Sequence, residues 1–127
     1  MMMDRYVPLY IREKDRVPFL ACLGLGTLYA IRDGTLSASA GIWTLGAPRM
    51  WKQLEGEPGM MAEIVAIFSA ADELSAIQEV IPDEFAPAID DFIHRLKAIL
   101  VSTGEQYWIA SWSPQEEDDK PAHNAQN

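Results

Sequence analysis

Apolar positions along this chain fall mostly at helical spacing. Leu20, Leu23, Thr27, Leu28 and Ile31 mark one face of a first helix predicted over 17–32, opened by Asp15 or Val17 with Pro18 in its first turn and closed by Gly34. Between 35 and 59 the pattern is broken. Thr35, Ser37 and Ser39 offer N-cap oxygens for a short helix near 38–45 that Gly46 would end, and Pro48 starts another turn or two through Leu54. This stretch reads as an elbow of short helices. Met61, Ile64, Val65, Phe68 and Ala71, then Leu74, Ile77 and Ile81, form a stronger repeat whose phase slips near 69–73, where Ser69 or Asp72 is placed to cap a new turn. The spacing predicts one kinked helix over 59–80 or two abutting ones. After Ile81-Pro82, the face Phe85, Ile89, Phe92, Ile93, Leu96 and Leu100 runs to about Val101 and is stopped by Ser102-Thr103-Gly104.

Two segments outside the helices carry strand composition, 5–12 and 107–112, and their pairing would bring the chain ends together, with Pro8 confining the first to a sheet edge. From Ser113 onward the prolines and the Glu116-Glu117-Asp118-Asp119 run read as a disordered acidic tail. The fold expected is mainly α: a single-domain bundle of four to five helices over 1–113, with a small two-stranded sheet joining the N- and C-terminal segments, followed by a tail over 114–127. Gly24 and Gly26 inside the first helix each cost up to about 1 kcal/mol relative to alanine. Close approach of a neighbouring element would offset that, since Ala21, Gly24 and Ala30 all lack bulk. A phosphate loop is excluded, because no strand precedes the pair and no third glycine or lysine follows.

Charge changes the picture most. From Gln53 to His94 the chain runs 42 residues without a lysine or arginine and carries ten carboxylates: Glu55, Glu57, Glu63, Asp72, Glu73, Glu79, Asp83, Glu84, Asp90 and Asp91. Apolar residues interleave them, so a folded acidic surface is expected and not an acidic tail. Residues 1–54 hold seven bases against four acids, net +3, whereas 55–127 hold fifteen acids against three bases, net −12. The molecule should be electrically two-sided. No basic groove for phosphates is evident, which argues against nucleic-acid binding. Outer faces of ordinary helices mix both signs, so a run of acids alone points to a basic protein partner. Asp83 and Glu84 have a local reason to be acidic at a helix start. Asp72, Glu73, Glu79 and Asp90 lack one.

Chemistry is sparse. Cys22 is the only cysteine, which excludes an intrachain disulfide and a thiolate zinc site, and its apolar surroundings suggest a buried inert thiol. His94 and His123 are the only histidines, and His123 falls in the expected tail. A relay of His94 with Asp90 and a nucleophile among Ser69, Ser75 and Cys22 would describe a small hydrolase, but no Gly-x-Ser-x-Gly elbow supports it. Asp90 and His94 read more simply as an i,i+4 surface pair, as do Asp91 and Arg95. Adjacent carboxylates on a helix diverge by about 100°, so the Asp-Glu and Asp-Asp doublets do not converge on one metal ion. No cofactor is expected. Trp43 and Trp51 in the elbow, and Trp108 with Trp112, are core or half-buried by default, with the elbow pair the better candidates for the rim of a partner site. The longest early apolar stretch, Phe19 to Ile31, is 13 residues, short of the ~20 that cross a bilayer, and the first residues lack a signal peptide's features. A cytoplasmic protein without membrane contact is expected.

Leu23-Gly24-Leu25-Gly26-Thr27-Leu28-Tyr29-Ala30-Ile31-Arg32-Asp33-Gly34, Ile42-Trp43-Thr44-Leu45-Gly46 with Pro48, Ala71-Asp72-Glu73-Leu74 and Ile81-Pro82 together resemble a group of small bacterial immunity proteins that accompany polymorphic toxins. The resemblance covers about 20–100. It implies a cytosolic, non-catalytic protein that binds and blocks a toxin domain, often a nuclease. The matching positions are glycines and core apolars, so no binding residue carries over by position. Read from charge and from the tryptophans of the elbow, the docking candidates are Asp72, Glu73, Glu79, Asp83, Glu84, Asp90, Asp91, Trp43 and Trp51. The competing expectation is a homodimeric interaction or regulatory protein that self-associates through the elbow.

Overall fold

A computed structural model describes residues 4–104 and 107–114. The expected tail over 114–127 lies, beyond Pro114, outside the described residues. The fold is mainly α with a small antiparallel sheet. In chain order the elements are β1 (Tyr10–Ile11), α1 (Arg16–Arg32), a π-helical turn (Gly41–Leu45), α2 (Pro48–Trp51), α3 (Met60–Ala70), α4 (Leu74–Val80), α5 (Phe85–Thr103) and β2 (Ala110–Ser111). Short 3-10 turns at 13–15, 52–54, 71–73 and 82–84 link them.

α1 and α5 form the backbone of the bundle and share its most extensive contact. Each ends where the sequence provides a left-handed residue: Gly34 at φ 83° just beyond α1, and Gly104 at φ 73° as the C-cap of α5. The core they enclose contains Leu28, Leu45, Ile64, Ile67, Phe68, Leu74, Ile89 and Leu96, all fully buried. At Gly24, α1 packs tightly against its neighbours. A Cβ there would lie 2.8 Å from Leu96 Cδ1 and 3.0 Å from Phe68 Cε1, so the missing side chain is what allows the contact. Gly26 differs from expectation, because a Cβ at that position would meet nothing within 4 Å. It lies on the exposed side of α1, and packing does not account for it.

The expected kinked-or-abutting helix over 59–80 resolves into two, α3 and α4, separated by the 3-10 turn Ala71–Glu73. Neither Ser69 nor Asp72 caps the new helix: no side-chain cap bond is formed at either turn, and Ser69 Oγ donates back to Ala66 O at 3.2 Å. The break is made by packing from outside. Gly41 is pressed so closely on Ala71 that a Cβ would collide with the Ala71 carbonyl oxygen, and a Cβ on Gly46 would lie 2.7 Å from both Asp72 N and Asp72 Cβ. The elbow therefore seats directly against the turn. The short helix expected to end at Gly46 is there, but it is wound wide, with Gly46 N–H donating to Gly41 O at 2.7 Å across five residues.

The sheet is the predicted one, shorter than its strand-like composition suggests: Tyr10 pairs with Ser111 and Ile11 with Ala110. Two contacts fasten it to α1. Trp108 stands edge-on to Phe19 at 4.9 Å between ring centroids. Below it the Asp15 side chain is fully buried, accepting from Arg12 Nε at 2.7 Å and from the Ile109 amide at 3.0 Å. Burial alone would push this carboxyl upward. The Arg12 and Ile109 hydrogen bonds, with the charges of Arg12 and Lys14, outweigh that and hold it below its ordinary value.

Candidate partner-binding face

Folding divides the ten carboxylates of the base-free stretch into two sets. Five find cations, three of them from distant parts of the chain. Glu57 takes a two-pronged contact from Arg16, Nη2 to Oε1 at 2.8 Å and Nη1 to Oε2 at 3.0 Å, and that hydrogen bonding holds Glu57 below its usual range. Glu63 accepts from Arg95 Nε at 2.7 Å, and Asp91 meets the same guanidinium at 3.4 Å in the expected i,i+4 pair. Glu55 sits 3.6 Å from Lys52. Asp90 accepts from Arg32 Nε at 3.0 Å, so the pairing anticipated between Asp90 and His94 is replaced by one that spans α1 and α5.

The other five, Asp72, Glu73, Glu79, Asp83 and Glu84, form no ion pair among the described residues. They occupy one continuous piece of chain: the 3-10 turn at 71–73, α4, and the 3-10 turn at 82–84. All are exposed. Val80 and Ile81 stand out among them at 75 % and 52 % exposure. Ile81 was expected on the buried face with Leu74 and Ile77. It falls instead at the end of α4, where the chain leaves helical geometry ahead of Pro82, and its side chain turns outward.

Trp43 is 68 % exposed on the π-helical turn, whereas Trp51 is half-buried and donates from Nε1 to Gly46 O at 3.0 Å. Trp51 is thus a brace for the elbow, and Trp43 is its free aromatic. Because Gly41 and Gly46 pack on Ala71 and Asp72, the elbow and the acidic turn are neighbours in space. Beside them a cavity of about 340 Å³ opens between Ser37, Ala38 and Ser39 and the α4 residues Ser75, Gln78 and Glu79.

The residues of the hydrolase alternative do not converge. Asp90 is engaged by Arg32, Ser69 by its own helix, and Ser75 faces the cavity with Glu79. His94 lines a separate shallow groove of about 580 Å³, largely apolar, with Met60, Glu63, Arg95, Ala98 and Ile99. Cys22, expected to be buried, is exposed on the outer side of α1, because the apolar run of that helix is longer than the face the bundle covers. Among the described residues, no three or more His, Cys, Asp or Glu side chains cluster as a metal site, and no helix is long and apolar enough to cross a membrane. No family, curated protein or solved structure matches this chain.

Proposed function

We propose that the protein is a non-catalytic acidic binding protein, an immunity protein that neutralises a cognate bacterial toxin domain in the cytosol by covering its basic surface. The observation that carries this reading is the strip from Asp72 to Glu84, five exposed carboxylates in 13 residues that form no ion pair among the described residues. Such a strip repels itself, and a basic partner that neutralises it gains both binding energy and association rate. A nuclease domain suits it well, because the surface that holds phosphates is basic. Exposed Val80, Ile81 and Trp43 add the apolar and aromatic contact area from which interface hot spots are drawn. Asp90 and Asp91 contribute less, since Arg32 and Arg95 already neutralise them.

The test is capture from the native host with the wild-type chain and with a variant carrying Asp72→Lys, Glu79→Lys and Asp83→Lys. The wild type should retain a basic protein whose toxicity it suppresses, with affinity falling steeply as salt rises. The variant should lose it. Equal capture by both at low salt refutes the reading.

Exposure of Trp43 favours a second reading, self-association through the elbow. A two-fold contact there, however, would set the Asp72 and Glu73 carboxylates of both copies close together, which opposes it. Sedimentation at micromolar concentration separates the two: a monomer is expected, and a dimer at low salt would favour self-association.

A further inference from the structure

The cavity beside the acidic strip has an unusual lining. Ala38 is buried and contributes its floor, while Ser37, Ser39, Ser75, Gln78 and Glu79 contribute three hydroxyls, an amide and a carboxylate. Among the described residues none of those five side chains hydrogen-bonds to the rest of the protein. Their backbones are nonetheless fixed. Ala40 N–H donates to Ser37 O at 3.0 Å and Gly41 N–H to Ala38 O at 2.9 Å on one wall, and α4 forms the other. Ser37, Ser39, Gln78 and Glu79 are exposed and Ser75 is half-buried, so the hydroxyls, amide and carboxylate around this opening face solvent and are open to a partner.

The lining narrows what can enter. An anion is repelled by Glu79 and by Asp72, Glu73, Asp83 and Glu84 along the same strip. An apolar group finds few apolar walls, and at about 340 Å³ the space lies at the small end of ligand pockets, enough for one side-chain head. What fits is a compact cation with many donors. A guanidinium has five N–H donors in a planar fork, enough to engage both Glu79 oxygens and still reach hydroxyl and amide acceptors, whereas an ammonium has three.

We infer that this cavity receives the arginine side chain of a protein partner, with Glu79 as its counter-ion and Ser37, Ser39, Ser75 and Gln78 as neutral acceptors. The inference rests on the acidic strip being a docking face, and it adds a specific anchor to it. Arginine anchors of this kind are characteristic of interface hot spots.

The experiment is a titration of the full chain, followed by backbone amide NMR, with capped glycine-serine pentapeptides that carry one central arginine, lysine or citrulline. The arginine peptide should shift the amides of 37–39 and 75–79 saturably, with the lysine peptide about fivefold weaker or more and the citrulline peptide silent. Glu79→Gln, an exposed change that α4 tolerates, should weaken the arginine peptide about fivefold or more. Ser75→Ala should narrow the preference for arginine over lysine. Equal binding of the arginine and lysine peptides, with shifts spread along 72–84, overturns the inference. So does tighter binding of free L-arginine than of the capped peptide, which would make this an amino-acid site. A capture variant that keeps Glu79 and carries only Asp72→Lys and Asp83→Lys reads the docking face independently, so loss of capture with a retained arginine titration, or the reverse, separates the two proposals.

Discussion

Gly24 and Gly26 lie two residues apart in the interior of α1, and replacing each by alanine should move stability in opposite directions. Both substitutions gain helix propensity, about 1 kcal/mol, partly by restricting the unfolded chain. At Gly26 nothing opposes that gain, since the new Cβ meets no atom within 4 Å. At Gly24 the Cβ arrives 2.8 Å from Leu96 Cδ1 and 3.0 Å from Phe68 Cε1. Both of those side chains are fully buried and have little room to retreat, so overpacking of about 1–3 kcal/mol outweighs the propensity gain. Gly26→Ala should therefore stabilise by about 1 kcal/mol and Gly24→Ala destabilise by about 1 kcal/mol. In equilibrium urea unfolding, with a slope of about 2 kcal/mol/M, the two midpoints should move about 0.5 M in opposite directions from the wild type and so lie about 1 M apart. A double-mutant cycle with Leu96→Ala sharpens the attribution: removing the obstructing methyls should make Gly24→Ala neutral or favourable, with a coupling of about 1 kcal/mol or more. If both glycine variants shift the midpoint the same way by the same amount, the close approach of α1 to α5 is not what requires glycine at 24.

Asp15→Asn should cost about 1–2 kcal/mol at neutral pH by weakening the bonds to Arg12 and Ile109. The native carboxyl is held below its ordinary value, so its stabilisation is present above about pH 4 and is lost as pH falls through the lower folded value; the gap to wild type in urea unfolding should close in acid, and a constant gap down to pH 2 refutes the assignment. Cys22, exposed on α1, should react with a thiol reagent such as DTNB in the native protein without denaturant, where a buried thiol would react only on unfolding. Gly41→Ala forces a Cβ into the Ala71 carbonyl and should destabilise by about 1–3 kcal/mol, while also shifting the amide resonances of 71–73; a neutral effect would mean that the elbow does not seat on the turn as described.

Helices α1 and α5, the phase slip inside 59–80 and the strand character of the two chain ends were legible because each rests on local signals, whereas the caps expected at that slip do not form and the elbow packs on the turn instead. Helical spacing, proline in a first turn, glycine after the last apolar residue and strand composition are all read within a few residues of the element they define. What escaped was set by approach from elsewhere. Asp15 looked like an ordinary helix-start carboxylate, and only the arrival of Ile109 from the far end of the chain makes it a buried clasp. Cys22 was assigned to the interior because its neighbours are apolar, and Ile81 because it continues the helical repeat of Leu74 and Ile77. Yet α1 is apolar around more of its circumference than the bundle covers, and Ile81 sits where helix geometry has already ended. The cavity acceptors Ser37, Ser39 and Gln78 carried no signal beyond polarity, since nothing in their spacing places 37–39 opposite 75–79.

Charge shows most clearly where sequence reading reaches its limit. Ten acids without a base looked like one surface of uniform sign, because cations separated along the chain were counted as separated in space. Arg16 reaches Glu57 across 41 positions, Arg95 reaches Glu63 across 32, and Arg32 reaches Asp90 across 58. Each of those contacts removes a carboxylate from the set that a partner could exploit, and Asp90, which had no local reason to be acidic, acquires one in its bridge between α1 and α5. The five carboxylates of the strip from 72 to 84 form no such pair among the described residues. Exposed pairs such as Arg32–Asp90 are screened by solvent and add little to stability, so their main consequence is to localise the uncompensated charge. Concentrated on one short helix, beside an exposed tryptophan and a cavity of unused acceptors, that charge can confer orientation as well as attraction. A uniformly acidic molecule would attract a basic partner from every side without preferring any one of them.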